Sequence, residues 1–462
     1  MQRKFMGRKA LAVGVVFGLS GLLAACSSGT TSSETSAAPA ATEAAASAAP
    51  AATEAAASAA ASAAPAAAGT CINDIFGAGG AEAGQGVTIP AGMLLAVTGQ
   101  GSFFGDVMSK GALLAADQIR EAGGMDYQIT IGDHKSGDVP TAITETKRMI
   151  SQDGIEVLQT SYGAPSEAII PIFQEAGVLT FNGGGSSPAQ LNQDLLYMNR
   201  MVYAEDPAPG ALAWIHQTYP DATKLALIGT MENGVGTFKE TAPAAWKALT
   251  GGEIVAAEQH DVGATDFKAL AAKIKAANPD AIMTFSFGDD LGYQVKALRE
   301  AGITAPIMMD EFTSQAAKIG GSAYDGVNFG VDFYTTDNPN PWNQCFVAAH
   351  QAKYGEDPEY YGSNYYEQVF IVWELVKRVI AAGGDPNDAA QLQEALLADP
   401  TFKSVYGGDA STVGMVALDS VDHSISKPMG VFEVQGGVPT LLTEIHKIKN
   451  GEDPMTALGP VQ

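Results

Sequence analysis

From residue 88 onward the chain alternates short apolar runs with longer amphipathic segments, and this alternation restricts the possible folds most strongly. Short apolar runs are typical of strands buried on both faces, and the segments between them have the spacing of helices that cover a sheet. The pattern covers 88–203 and restarts after Pro207. It predicts an α/β protein with two halves, each a doubly wound parallel sheet.

Eight apolar runs are predicted as strands of the two halves: Met93–Thr98, Ile129–Ile131, Val157–Thr160, Val178–Phe181, Leu225–Ile228, Ile254–Ala257, Ala281–Phe285 and Ile307–Met309. Helical spacing is found at about 107–122, 138–151, 166–176, 235–249, 265–277, 290–301, 341–353, 363–381 and 388–398. Three later strand-like segments are Val327–Tyr334, Met429–Val434 and Leu441–Ile445. These late elements must be shared between the halves, because neither half is complete without them.

The N-terminus has the pattern of a lipoprotein signal peptide. Basic residues within 1–9 precede an apolar stretch, 10–25, that is too short to span a bilayer comfortably. Small residues then stand directly before Cys26. We predict cleavage after residue 25 and lipidation of Cys26; the alternative is an uncleaved anchor helix.

Residues 26–69 are predicted to form a disordered linker. They are almost entirely Ala, Ser, Thr, Pro and Glu, so they offer no side chains for a core. The segments 36–46 and 47–57 are identical, but their prolines interrupt any long helix. A spacer is therefore favoured over a repeat domain.

The formal net charge of −25 at pH 7 argues against nucleic acid as a partner and against direct binding to anionic lipid. Membrane contact is predicted only through acyl chains on Cys26. No later stretch has the roughly 20 apolar residues of a transmembrane helix. We therefore predict an extracytoplasmic, lipid-anchored protein.

Two cysteines remain besides Cys26, namely Cys71 and Cys345. An even pair in an oxidising compartment is consistent with a disulfide. Two free thiols are the alternative, and the sequence leaves both open.

Catalytic motifs are absent from the sequence. It contains no G-x-S-x-G, H-E-x-x-H, C-x-x-C or P-loop pattern, and its histidines are scattered singly. Asp133, His134 and Asp138 are close in sequence, but their order fits a strand exit and a helix cap better than a metal site. We predict no enzyme activity, no metal and no cofactor; a surface hydrolase is the alternative.

Ligands of open parallel sheets bind beyond the carboxyl ends of the strands. The predicted loops at these ends are Thr98–Gly105, Thr160–Ser166, Asn182–Ser187, Gly229–Gly236, Phe285–Asp290 and Asp310–Ser314. Because these loops run into helices, their backbone N–H groups suit a carboxylate or a similar anion. Two such sets facing each other predict a cleft.

Three segments carry a resemblance to a known family: GMLLAVTGQGSFFGDVMSKGALLAADQIREAGG, PIFQEAGVLTFNGGGSSPAQL and DFKALAAKIKAANPDAIMTFSFGDDLGYQVKALREAGI. They resemble the Leu/Ile/Val-binding protein family, the extracytoplasmic solute receptors of ABC importers. The resemblance covers about 88–445 and implies the type I periplasmic-binding fold, with two Rossmann-like lobes joined by three hinge crossovers near Tyr203, Asp332 and Ser420. Lobe one would comprise 70–203 and 332–420, and lobe two 204–331 and 421–462.

The resemblance also implies an amino-acid site. The ligand carboxylate would lie against the loops after the third and fourth strands, Glu311 would bind its ammonium, and Phe287 would shield it. The candidate ligand-binding residues are Ser102, Phe103, Ser161, Tyr162, Gly163, Gly184, Gly185, Ser186, Phe287 and Glu311. The chain departs from the family where Tyr162 and Gly163 replace a serine pair and where 233–236 replace a tyrosine, so we expect a pocket of altered size.

The predicted function is that of a receptor for a branched-chain or related small amino acid, which docks on an ABC permease in the membrane. Amides, urea or aromatic acids are alternative ligands, and a ligand sensor feeding a signalling partner is an alternative role. The tyrosines of 360–366 either form a wall of the cleft or pack in the core.

Overall fold

The computed structural model describes residues 68–77, 79–185, 188–190, 196–201, 206–231, 236–332, 334–420, 422–449 and 451–459. The predicted signal peptide, Cys26 and the linker up to residue 67 lie outside the described residues. In the described part, no helix combines the length and the apolar character that crossing a membrane requires.

The described residues form twelve α-helices and fifteen strands. The helices are α1 Ala68–Phe76, α2 Ser102–Glu121, α3 Val139–Arg148, α4 Gly163–Ala176, α5 Pro207–Thr218, α6 Ala242–Thr250, α7 Lys268–Ala277, α8 Asp289–Glu300, α9 Ser314–Gly320, α10 Pro341–Tyr354, α11 Tyr360–Ala381 and α12 Ala389–Ala398. The strands are β1 Thr88–Leu95, β2 Asp126–Asp133, β3 Val157–Thr160, β4 Leu179–Asn182, β5 Met198–Arg200, β6 Lys224–Thr230, β7 Glu253–His260, β8 Ala281–Phe285, β9 Ile307–Met309, β10 Asn328–Asp332, β11 Thr401–Asp409, β12 Thr412–Leu418, β13 Ile425–Ser426, β14 Met429–Gln435 and β15 Val438–Ile445.

The first sheet has five parallel strands in the order β2-β1-β3-β4-β5. Every residue of β3 and β4 is buried, as the continuous apolar runs predict. The long helix α11 packs along α2, and its Phe370 and Trp373 join Phe76 and Trp342 in one core. We call the elements around this core lobe one; it combines residues between Ile72 and Met201 with residues between Trp342 and Ile425.

The second sheet has seven strands in the order β15-β14-β10-β9-β8-β6-β7. The strands from β10 to β7 are parallel, whereas β14 runs antiparallel to β10 and β15 antiparallel to β14. A tight turn at Gly436 and Gly437, both with positive φ, makes β14 and β15 a hairpin. The elements around this sheet are called lobe two. The predicted α/β fold with two doubly wound lobes is confirmed, and an antiparallel edge extends one sheet.

Several elements differ from the sequence prediction. A small antiparallel sheet, β11-β12-β13, was not predicted, because β11 contains Gly407 and Gly408 and the exposed residues of β12 dilute its apolar pattern. β5, α1 and α5 were also missed. β1 begins at Thr88 rather than Met93, because pairing with β2 outweighs the poor strand propensity of Pro90 and Gly92. Helices α2, α4 and α11 each begin three to five residues earlier than predicted.

The chain passes between the lobes after β5, after β10 and after β13. Tyr203, near the first predicted crossover, lies outside the described residues, and Asp332 is the last residue of β10. Beyond Ser420 the chain first adds β13 to the small sheet, whose Ile425 packs in the core of lobe one.

A disulfide joins Cys71 of α1 to Cys345 of α10. The two Cα atoms are 6.4 Å apart, which is within the normal range, and the cysteines are 274 residues apart in sequence. Both helices pack in lobe one, so the bond braces that lobe alone.

Candidate functional site

A cleft lies between the lobes, beyond the carboxyl ends of the parallel strands. Lobe one contributes Gln100, Gly101, Phe104, Met108, Tyr162, Gly184, Gly185, Tyr360 and Tyr361. Lobe two contributes Val262, Gly263, Phe287, Gly288, Asp289, Asp290, Asp310 and Glu311. Pro207, Val331 and Asp332 line it beside the crossovers. This is the position at which open α/β sheets bind ligands.

Glu311 and Tyr361 connect the two lobes by a hydrogen bond. Tyr361 Oη donates to Glu311 Oε2 at 2.6 Å, and the N–H of Gly288 donates to Oε1 at 2.8 Å. Burial raises the pKa of Glu311 to about 7, although both hydrogen bonds oppose the rise. Glu311 follows β9 in lobe two and Tyr361 lies in the first turn of α11 in lobe one, so this contact requires the lobes to be closed.

Other carboxyl groups lie around Glu311. Asp290 Oδ2 accepts from the N–H of Gly263 at 2.9 Å and lies 3.8 Å from His260 Nδ1. Asp332 Oδ2 accepts from Tyr360 Oη at 3.2 Å. Burial raises the pKa of Asp332 to about 7, although the charge of Lys427 opposes the rise. Most of these acids follow β8, β9 or β10, so this side of the cleft is acidic.

Aromatic rings form the facing wall. The ring of Phe104 packs edge to face against Tyr361, with centroids 5.4 Å apart, and against Tyr162, with centroids 6.3 Å apart. Tyr162 has a φ of +66°, which is uncommon for a residue with a side chain, and its N–H donates to Gly184 O at 2.9 Å. This backbone conformation turns the chain from β3 into α4 and leaves the Tyr162 ring at the cleft.

Five predicted site residues line the cleft: Tyr162, Gly184, Gly185, Phe287 and Glu311. Ser161 and Gly163 are buried beside it, and Ser161 Oγ hydrogen-bonds to His134 Nε2 at 2.9 Å. Ser186 lies outside the described residues.

Two further predicted site residues, Ser102 and Phe103, are not among the residues that line the cleft. Ser102 is exposed, and Phe103 packs against Phe104 with ring centroids 5.6 Å apart. Because α2 begins at Ser102, helical rotation brings Phe104 and Met108 to the cleft instead.

The cleft also contains residues that the sequence analysis did not assign. Tyr360 and Tyr361, for which the sequence leaves a cleft wall and core packing as alternatives, both line the cleft, because α11 begins at Tyr360. Asp290 and Asp332 also line it, although the sequence predicts them only as the start of a helix and a crossover residue. Their signal was the excess of acidic residues after successive strands, which becomes meaningful only when the strand order is known.

The sequence cluster around Asp133 has structural roles. Asp133 accepts from the N–H groups of Val97, Thr98 and Lys135, and Asp138 caps α3 by accepting from Thr141 N at 2.9 Å. Burial lowers the pKa of His134 to about 4. Among the described residues, no group of three or more His, Cys, Asp or Glu side chains is arranged to hold a metal ion.

Comparisons with known proteins identify relatives over most of the described chain. The profile of the family described as periplasmic binding protein matches residues 88–438. Leu/Ile/Val-binding protein homolog 1 of Brucella abortus (strain 2308) is 27% identical over 345 residues, which are 72% of this chain and 86% of that protein. The leucine-, isoleucine-, valine-, threonine- and alanine-binding protein of Pseudomonas aeruginosa is 24% identical over 325 residues, which are 69% of this chain and 84% of that protein.

Solved structures share the fold. The branched-chain amino acid transporter substrate-binding protein LivJ of Streptococcus pneumoniae, in complex with isoleucine, superposes with a TM-score of 0.66 at 21% identity, covering 78% of this chain and 99% of that chain. A solute-binding protein of an ABC transporter from R. palustris, in complex with benzoate, has a TM-score of 0.67 at 19% identity. The match covers 81% of this chain and 97% of that chain.

Proposed function

Because this chain belongs to the periplasmic binding protein family, we propose that it is the substrate-binding lipoprotein of an ABC importer. Its ligand is a small amine-bearing solute, a branched-chain amino acid or a relative of one. The family consists of extracytoplasmic binding proteins that serve transporters. The protein binds and releases its solute without changing it chemically.

The hydrogen bond between Tyr361 and Glu311 is the observation that carries this proposal. It shows how the two lobes meet around one cleft. A ligand that touches both walls binds the closed form more tightly than the open form, so binding shifts the population toward closure. We propose that lobe one (70–203 with 332–420, to which β13 is added) and lobe two (204–331 with the chain from β14 onward) swing about the crossovers, and that the permease recognises the closed form.

We propose one position in the cleft for the ammonium group of the ligand and another for a carboxylate. The ammonium group would bind at Glu311, which already accepts hydrogen bonds in the cleft. A carboxylate, where the ligand has one, would lie near Gly184, Gly185 and the amino end of α4, where the helix dipole is favourable for an anion.

The anchor is proposed from the sequence. Lipidation of Cys26 would hold the protein on the outer side of a membrane, and the linker would let the lobes reach the permease. Cys26→Ser should move the protein from the membrane fraction to the soluble fraction. Continued membrane association of this variant in high salt would contradict the lipid anchor.

Ligand identification tests the function directly. The full chain is purified without denaturation and analysed by native mass spectrometry for a retained small molecule. A thermal-shift panel of amino acids, amides, urea and aromatic acids follows. We expect an amine-bearing compound to raise the melting temperature and Glu311→Gln to reduce that rise, whereas Glu253→Gln, at an exposed site on β7, should not. Absence of any stabilising solute, or turnover of a bound one, would refute the proposal.

A further inference from the structure

The cleft has a strong imbalance of charged side chains. Five carboxylate residues line it: Asp289, Asp290, Asp310, Glu311 and Asp332. No lysine, arginine or histidine is among the described residues that line it. The undescribed residues that follow position 185 contain no lysine or arginine either. A ligand in this cleft therefore meets negative groups without a basic residue on the same wall.

Three described basic residues lie near the cleft without lining it: Lys427, whose charge acts on Asp332, Lys135 and His260. Lys427 Nζ is 3.0 Å from Glu367 Oε2 and lies over the ring of Tyr406. Lys135 lines a neighbouring cavity, which shares Gln100, Tyr162 and Val262 with the cleft, but it does not line the cleft itself. Burial lowers the pKa of His260, so the imidazole near Asp290 is largely neutral at pH 7. Glu311 and Asp332, whose pKa values burial raises to about 7, titrate near neutral pH, and a bound cation would favour their ionised forms.

The opposite wall also suits a cation. Phe104, Tyr162 and Tyr361 present aromatic rings to the cleft, and Phe287 adds a ring from lobe two. The faces of such rings attract ammonium groups, and the attraction grows when water is excluded. A carboxylate could lie near Gly184 and Gly185, but on the lobe-two side of the cleft it would face Asp290, Asp310 and Glu311. A benzoate-like anion, which has no ammonium group for these acids, therefore fits the cleft less well than a cation.

We propose that the preferred ligand of this cleft carries a net positive charge: an amine without a carboxylate, or a compound with more amino groups than carboxylates. This inference rests on the proposed function, because it names the charge class of the solute bound at that site. It separates this chain from the two solved neighbours, whose ligands are isoleucine and benzoate. Residues Asp310 and Glu311 are assigned as the determinants of that preference.

Charge-matched ligands test the inference on the unmodified full chain. L-leucinamide and L-leucine share a side chain and an ammonium group but differ in net charge. Benzylamine, benzamide and benzoate form a second series with charges of +1, 0 and −1. Isothermal titration calorimetry should show the cationic member of a series binding at least tenfold tighter than its zwitterionic or neutral partner, and benzoate binding weakest. A wider panel of diamines and amino acids extends the same comparison.

Two isosteric variants locate the effect. Asp310→Asn and Glu311→Gln each replace an ionisable acid by a neutral amide of nearly the same shape, and each should reduce the cation's advantage at least fivefold. Asp221→Asn, at an exposed position of lobe two away from the cleft, should leave it unchanged. Circular dichroism and thermal unfolding show whether each variant is folded. A cation preference that both cleft variants retain in full would overturn the assignment to these carboxylates.

The outcomes separate this inference from the proposed function. Tighter binding of leucine or benzoate than of their cationic partners would refute the charge preference and leave the solute-binding function standing. If no compound of any charge class binds, the proposed function fails and this inference fails with it.

Discussion

Gly288 offers a direct test of lobe closure. It has φ of +58° and ψ of −133°, a conformation that side chains strongly disfavour, and it precedes α8 in lobe two. A Cβ atom on Gly288 would lie 2.9 Å from Cε2 and 3.1 Å from Cζ of Phe104 in lobe one. Gly288→Ala should therefore have two separable effects, one on the folding of lobe two and one on closure.

The backbone conformation of Gly288 and its contact with Phe104 give two separate free-energy costs. The backbone conformation should cost about 1–3 kcal/mol of unfolding free energy in both the open and the closed form. The contact with Phe104 arises only in the closed form, and overpacking of this kind costs about 1–3 kcal/mol. Since about 1.4 kcal/mol corresponds to a tenfold change, ligand affinity should fall roughly fivefold to 150-fold.

Gly321→Ala is a matched control in the same lobe. Its φ of +56° and ψ of −138° are nearly those of Gly288, but a Cβ there would have no atom within 4 Å. This variant should lose stability in urea unfolding and keep its affinity in calorimetry. Phe104→Leu added to Gly288→Ala should recover part of the lost affinity without recovering stability. Equal affinities for the Gly288→Ala and Gly321→Ala proteins would refute the closure geometry.

Other residues give further predictions. Tyr361→Phe removes the O–H that reaches Glu311 and should favour the open form about tenfold, seen as a larger radius of gyration in small-angle X-ray scattering; an unchanged radius contradicts the contact. Cys345→Ser should lower the unfolding free energy by about 2–5 kcal/mol under non-reducing conditions, and the reduced parent should match it. Because burial raises the pKa of Glu311 to about 7, its ionisation destabilises the native state as pH rises from about 4.5 to 7. Glu311→Gln should reduce this pH-dependent loss of unfolding free energy by up to about 3 kcal/mol. If the unfolding free energies of the parent and this variant change in parallel with pH, the raised pKa of Glu311 is contradicted.

The parallel strands were the part of the fold most accessible from sequence. Val157–Thr160, Ala281–Phe285 and Ile307–Met309 match the predicted bounds, because strands buried on both faces are continuous apolar runs bounded by polar or glycine residues. The sheet β11-β12-β13 was missed, since glycines and alternating exposure weaken any local signal there.

Some residues of the site could likewise be predicted from the sequence, and others could not. Resemblance to the family pointed to Tyr162, Gly184, Phe287 and Glu311, which lie in loops that follow recognisable strands. Tyr361 and the other acids required tertiary information. Each lies far in sequence from its neighbours in the cleft, so only the order of strands and the packing of α11 on α2 reveal that they face one another.

The disulfide between α1 and α10 has a mechanical consequence if the proposed anchor at Cys26 holds the protein on a membrane. A force applied to α1 would pass through the bond between Cys71 and Cys345 into α10, whose Trp342 and Phe346 are buried in lobe one. Lobe one would then be the fixed lobe, and lobe two could move during closure without straining the anchored segment.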